Sequence, residues 1–245
     1  MQWLNLWRIE WLKTRRTFVL LMLFLCPLAT ALFPLAQHLH NGGATIEAKG
    51  WDVYWQNAVL MWTFLMMPMF CVLSSALLVQ SEHVNQTWRV MLTLPVSQAQ
   101  LYLVKLLMAW SFVVLAGCLM LLLCAAGVAL LVWQGFPAHD AFAYPFIKTM
   151  GLVALSCFPM VVFQHAVSWR FTHLMAILTI GLVTTLGISF VARSEYWVYY
   201  PWGYPMLALS PADELSHQAL LLSGLVGGLM ALVTTWWFGK REVGV

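Results

Sequence analysis

Several side chains in this sequence could hold a metal or attack a substrate, but their spacing supports neither. The seven histidines (His38, His40, His83, His139, His165, His173, His217) fall in expected loops or at expected helix ends. His165 and His173 flank one turn, yet no acidic residue or cysteine joins them, and a zinc site takes three or four ligands. The five cysteines (Cys26, Cys71, Cys118, Cys124, Cys157) form no CxxC pair and lie in apolar runs, where small buried thiols are ordinary. Met61, Met66, Met67 and Met69 offer the soft thioethers that Cu(I) prefers. Without a matching Cys or Met pattern on other runs they read as apolar filler. No HExxH, GxSxG or GxxxxGK(S/T) motif occurs. The expectation is therefore no catalytic residue, no metal and no cofactor in this chain.

The elements that would position such residues are membrane helices. The 245 residues are 62% hydrophobic and only 9% charged, against about 25% charged in a soluble domain. A helix needs ~20 apolar residues to span the hydrocarbon. Apolar runs occur at 17–37, 57–80, 106–133, 149–165, 174–192 and 218–238, and none contains Asp, Glu, Lys or Arg. Continuous runs exclude a β-barrel, whose strands alternate. Ala29-Thr30-Ala31 resembles a signal-peptide cleavage site, but the first run continues to Ala36 and is read as a span. The expected fold is an all-α membrane protein with six transmembrane helices in one domain, residues 1–245.

Charge sets the orientation, because cytoplasmic loops carry the excess of Lys and Arg. With both termini inside, nine basic residues are cytoplasmic (Arg8, Lys13, Arg15, Arg16, Arg89, Lys105, Arg170, Lys240, Arg241) and three are outside (Lys49, Lys148, Arg193). The formal charge of +3 reflects this bias and does not suggest nucleic acid as a partner. Charge-free spans disfavour an ion-coupled transporter, which carries intramembrane acids or bases as relays.

Residues 2–16 read as a helix in the inner interface, with Trp3, Trp7 and Trp11 recurring every fourth residue, or simply as a positive flank that sets topology. Pro27, Pro34, Pro68 and Pro159 should bend their spans. The glycines of the first outer loop, His38 to Gln56, predict flexibility. The last outer loop packs Tyr196, Trp197, Tyr199, Tyr200, Trp202 and Tyr204 together. These make either an interfacial aromatic belt or the lip of an outer gate, and the frequency of belts favours the first.

The polar segment 82–100 is the largest expected cytoplasmic surface. Pro95 should break a helix there, and Ser97 can cap a new one running through Tyr102 and Lys105 into the third span. Leu92, Leu94 and Val96 are apolar in a cytoplasmic segment, which suggests burial against a partner or the inner headgroups. The stretch Glu82, Thr87, Trp88, Leu92, Leu94, Pro95, Val96, Ser97 and Lys105 resembles the coupling segment of ABC-2 type exporter permeases, departing at Gln98 where that family often has Arg. Ile9-Glu10-Trp11-Leu12-Lys13-Thr14-Arg15-Arg16 is similar to the family's elbow helix, and Phe238 to Glu242 to its basic tail. Size and layout look most like the bacterial subfamily linked to lantibiotic and bacitracin self-protection.

The resemblance implies an exporter permease in the bacterial cytoplasmic (inner) membrane, moving an amphiphilic, peptide-like or lipid-like substrate. It implies a separate cytoplasmic ABC ATPase, in two copies, that binds ATP and Mg. A second permease copy or paralogue, and membrane lipid, complete the expected partners. The residues it assigns to ATPase coupling are Glu82, Thr87, Trp88, Arg89, Leu92, Leu94, Pro95 and Ser97, and those it assigns to the elbow are Glu10, Lys13, Arg15 and Arg16. The rival readings are a non-transporting membrane anchor or assembly factor, and a membrane enzyme acting on lipid.

Overall fold

The computed structural model describes residues 2–15, 17–42, 44–84 and 97–240. Among these the regular elements are all helical. α1 (Gln2–Thr14) is followed by α2 (Val19–His40), short α3 (Ala44–Lys49), and α4 (Asp52–Met61). α4 continues through a π-turn (Trp62–Met66) into α5 (Met67–Val84). Then come α6 (Gln98–Trp133), α7 (Phe146–Ser156), α8 (Phe158–Arg170) and α9 (Leu174–Val191). Two 3-10 turns (Glu195–Tyr199, Pro201–Gly203) and the single turn α10 (Tyr204–Leu207) lead into α11 (Asp213–Lys240).

Five of these segments are long and apolar enough to cross a membrane: α2, the α4–α5 rod, α6, α9 and α11. The pair α7 and α8, bent by 42° at Cys157, makes a sixth. The protein is an all-α multi-pass membrane protein. Most helices outrun the apolar runs that mark them, because polar residues at the headgroup level extend a helix without interrupting its backbone bonds. α6 starts at Gln98, eight residues before its apolar run.

One of the four prolines adjoins the 42° break between α7 and α8. Pro159 stands in the first turn of α8, beyond the break at Cys157, where its absent N–H would have no intrahelical partner in any case. Pro68 follows the π-turn, in which the Met67 N–H reaches back to the Trp62 carbonyl. Pro27 and Pro34 lie inside α2 without ending it.

The centre of the bundle is the α4–α5 rod, of which 67% of the apolar window is buried, against 17% for α11. α2 packs along α6, and α8 fits between α5 and α11. Glycines permit close approaches between helices. A Cβ on Gly227 of α11 would stand 2.7 Å from the Phe158 ring, and one on Gly181 of α9 would overlap Val72. Small residues at such crossings let membrane helices gain van der Waals contact.

The segment expected as a flexible loop between His38 and Gln56 is largely helical. Trp51 Nε1 donates to the Pro137 carbonyl at 2.9 Å and Trp55 Nε1 to that of Ala141 at 3.1 Å. Trp55 also stacks on Tyr144 at 5.4 Å. These bonds tie the start of the rod to the chain between α6 and α7.

The aromatic segment 196–204 divides. Tyr196 and Tyr199 are exposed, as belt residues would be. Trp202 and Tyr204 are buried. Trp202 meets the Phe163 ring of α8 edge-on at 5.2 Å and stacks on Tyr200 at 5.6 Å. The Tyr200 hydroxyl donates to the Thr184 carbonyl of α9. Half of this cluster is therefore a plug packed into the bundle, and α10 reaches the π-turn.

Candidate functional site

At the end of the bundle shared by α1, the last turn of α5 and the first turns of α6, four charged side chains converge. α1 turns its Leu6, Glu10 and Thr14 face inward, at i, i+4 and i+8. Trp7 and Trp11 are partly buried beside it, and Trp11 stacks on Phe112 of α6 at 5.6 Å. Trp3 is exposed, so the tryptophan stripe flanks the buried face and is not the face itself.

Glu10 is only 2% exposed, and Glu82 and Lys105 1% each. Lys105 Nζ binds Glu10 Oε2, Glu82 Oε1 at 3.0 Å and the Leu78 carbonyl at 3.1 Å. Lys13 Nζ binds Glu10 Oε1 at 2.6 Å and Glu82 Oε1 at 3.1 Å. Two carboxylates and two ammoniums thus form a closed, neutral quartet joining three helices. Glu82 Oε2 has no hydrogen-bond partner among the described residues.

Burial by itself raises the Glu10 carboxyl, but Lys105 and then Lys13 outweigh it and hold the group below its ordinary 4.5. Burial likewise lowers the Lys13 ammonium, and Glu10 and Glu82 outweigh that, so it lies above its ordinary 10.5. Both shifts favour the charged forms. A buried ion pair is not a strong source of stability, but removing one member costs about 3–5 kcal/mol because it strands the other. The quartet therefore fixes which groups meet, and resists being pulled apart.

Local sequence explains the placement. Ser97 caps α6: its Oγ accepts from the Gln100 N–H at 3.2 Å, and the Gln100 side chain accepts from the Ser97 N–H at 3.2 Å. Such a capping box starts a helix at a defined residue. In the helix it starts, Tyr102 and Lys105 are about 60° apart around the axis.

Tyr102 serves the other face. Its ring stacks on Phe238 of α11 at 5.3 Å and lies 4.8 Å from His165 and 5.2 Å from Trp169, both of α8. His165 sits inside α8 and is wholly buried. The expectation that the histidines occupy loops and helix ends fails for it, because α8 continues past the apolar run to Arg170. Lys105 and Tyr102 together make the start of α6 a hub for α1, α5, α8 and α11.

Residues 6–188 match the family described as ABC-2 family transporter protein. The chain belongs to that family. A search of curated proteins finds no match. As an ABC-2 permease, the protein is a membrane component of an ABC transporter, a class that works with an ABC ATPase.

Of the residues assigned to coupling, Glu82 and Ser97 stand on either side of segment 85–96 and take part in the quartet and the α6 cap. Thr87, Trp88, Arg89, Leu92, Leu94 and Pro95 lie outside the described residues, as does Arg16. Glu10 and Lys13 of the assigned elbow join the quartet, whereas Arg15 is exposed in the turn after α1. Sequence reasoning did not find that Glu10, Glu82 and Lys105 meet. The available signal was four charges, two of each sign, at the margins of three apolar segments.

Proposed function

We propose that this ABC-2 permease is the membrane subunit of an exporter, driven by a separate cytoplasmic ABC ATPase present in two copies that binds ATP and Mg. In this reading both termini are cytoplasmic and the membrane is the bacterial cytoplasmic membrane. The permease pairs with a second copy or a paralogue, and the cargo is amphiphilic. Apolar runs without Asp, Glu, Lys or Arg support an external source of energy.

The observation that carries the reading is the position of the quartet. Segment 85–96 leaves α5 three residues after Glu82 and enters α6 at the Ser97 cap. A push on that segment reaches α5 and α6 at points already locked together. Because parting Glu82 from Lys105 is costly, the push moves α1, α5 and α6 as one body. The Tyr102 contacts pass the same displacement to α8 and α11. Force delivered to one short segment thus becomes a displacement of most of the bundle at that end.

The test uses the permease co-expressed with its ATPase. Glu82→Gln keeps the side-chain shape and removes one charge, leaving the two lysines opposed by Glu10 alone. The expected result is an ATPase that still co-purifies and hydrolyses ATP while transport falls at least tenfold. Full coupled transport by this variant would overturn the assignment. Absence of any co-purifying ATPase with the wild-type permease would overturn the exporter reading.

A further inference from the structure

On the lipid-facing side of the hub, a groove of about 650 Å³ runs between the second half of α11 and the start of α6. Leu103, Ala231, Leu232 and Trp236 line it, Phe158 lies toward one end, and Lys240 stands at the other. The quartet and the Tyr102 contacts leave this surface unused. From Gly228 to Lys240 the groove follows twelve residues of helix, ~18 Å at 1.5 Å per residue. That matches the depth of one leaflet, half of the ~30 Å hydrocarbon.

Chemistry changes along the groove as it does along a phospholipid. The deep part is apolar. Some 7 Å below Lys240 along the axis, Thr235 joins the lining with its hydroxyl oxygen buried. At the mouth, Lys240 Nζ lies over the Trp236 ring at 4.4 Å. A second copy of this chain placed symmetrically on this face would bring Lys240 near its own equivalent, with like charges opposed. An anion complements it.

We propose that this groove binds an anionic glycerophospholipid, with one acyl chain between α6 and α11 and the phosphate at Lys240. A single lysine near an anionic headgroup gives about a fivefold preference over a zwitterionic one.

The full chain is purified in detergent with an equal mixture of phosphatidylglycerol and phosphatidylcholine of identical chains, and retained lipid is counted by native mass spectrometry. The wild type is expected to keep one more phosphatidylglycerol than Lys240→Glu or Lys240→Gln. Gly228→Trp should fill the groove and lose that lipid whatever its headgroup, since a Cβ there meets nothing within 4 Å. Gly224→Trp, equally open but outside the groove lining, should retain it and so controls for folding. Unchanged phosphatidylglycerol retention in both Lys240 variants would overturn the proposal. So would a Gly228→Trp variant that alters oligomeric state and not lipid retention, which would assign the face to a second copy.

Discussion

The end of the bundle holding Glu10, Lys13, Glu82 and Lys105 and the region holding Tyr200, Trp202 and Tyr204 fasten helices by opposite chemistry. The first uses four charges closed into a neutral ring, where each group requires the others. The second uses aromatic faces and edges, backed by the Tyr200 and Tyr204 hydroxyls on backbone carbonyls. Charges demand specific partners, whereas aromatic packing tolerates a change of shape at modest cost. The ionic end is thus suited to rigid transmission, and the aromatic plug to rearrangement without leaving a charge stranded.

That contrast can be broken by substitution. Lys105→Met leaves two buried carboxylates to share Lys13 alone and should cost about 3–5 kcal/mol, read as a large drop in thermal unfolding temperature in detergent. Adding Glu10→Gln should recover part of that loss, because fewer charges then lack partners. Trp202→Phe at the plug keeps an aromatic face and should cost about 1–2 kcal/mol in the same assay. If the plug variant is the more damaging of the two, the assignment of rigidity to the ionic end is wrong.

Acid should separate the two regions. Glu10 is held below its ordinary 4.5, so its contribution is present above that value and is lost as pH falls through the folded value. Lys13, held above 10.5, contributes fully below that value and loses its contribution only as pH rises through its folded value. Hydrogen exchange is therefore expected to quicken in α1 below pH 4.5 while residues 200–207 keep their protection. Equal loss in both regions would mean that they do not respond separately. A smaller effect is expected from Ser97→Ala, which removes one cap bond and should cost about 1 kcal/mol. Tyr196→Ala, at an exposed ring, should stay within ~0.5 kcal/mol.

Much of this architecture is legible in the sequence because hydropathy and turn chemistry are local. Six apolar runs announce the spanning segments, and Ser97 announces the start of α6. The meeting of Glu10 with Lys105 is not legible, since 95 residues separate them and periodicity reports a face without naming its partner. On α1 the tryptophans signal an interface so strongly that they mask the narrower Leu6–Glu10–Thr14 stripe. In the last loop, composition shows six aromatic residues but not that Trp202 and Tyr204 turn inward. His165 was hidden because the polar and basic residues that close α8 resemble a loop.

The π-turn at Trp62–Met66 has a consequence for a site most of a rod's length away. A π-bulge amounts to one extra residue in an α-helix, and each α-helical residue advances the azimuth by about 100°. Everything beyond Met66 is therefore rotated in phase relative to an uninterrupted rod. That offset is part of what aims Glu82 at Lys105 and not at the acyl chains. Plain α-helical winding of 62–66 at unchanged length would swing the carboxylate off its target. The mid-membrane irregularity thus sets the compass bearing of a charge some sixteen residues farther along.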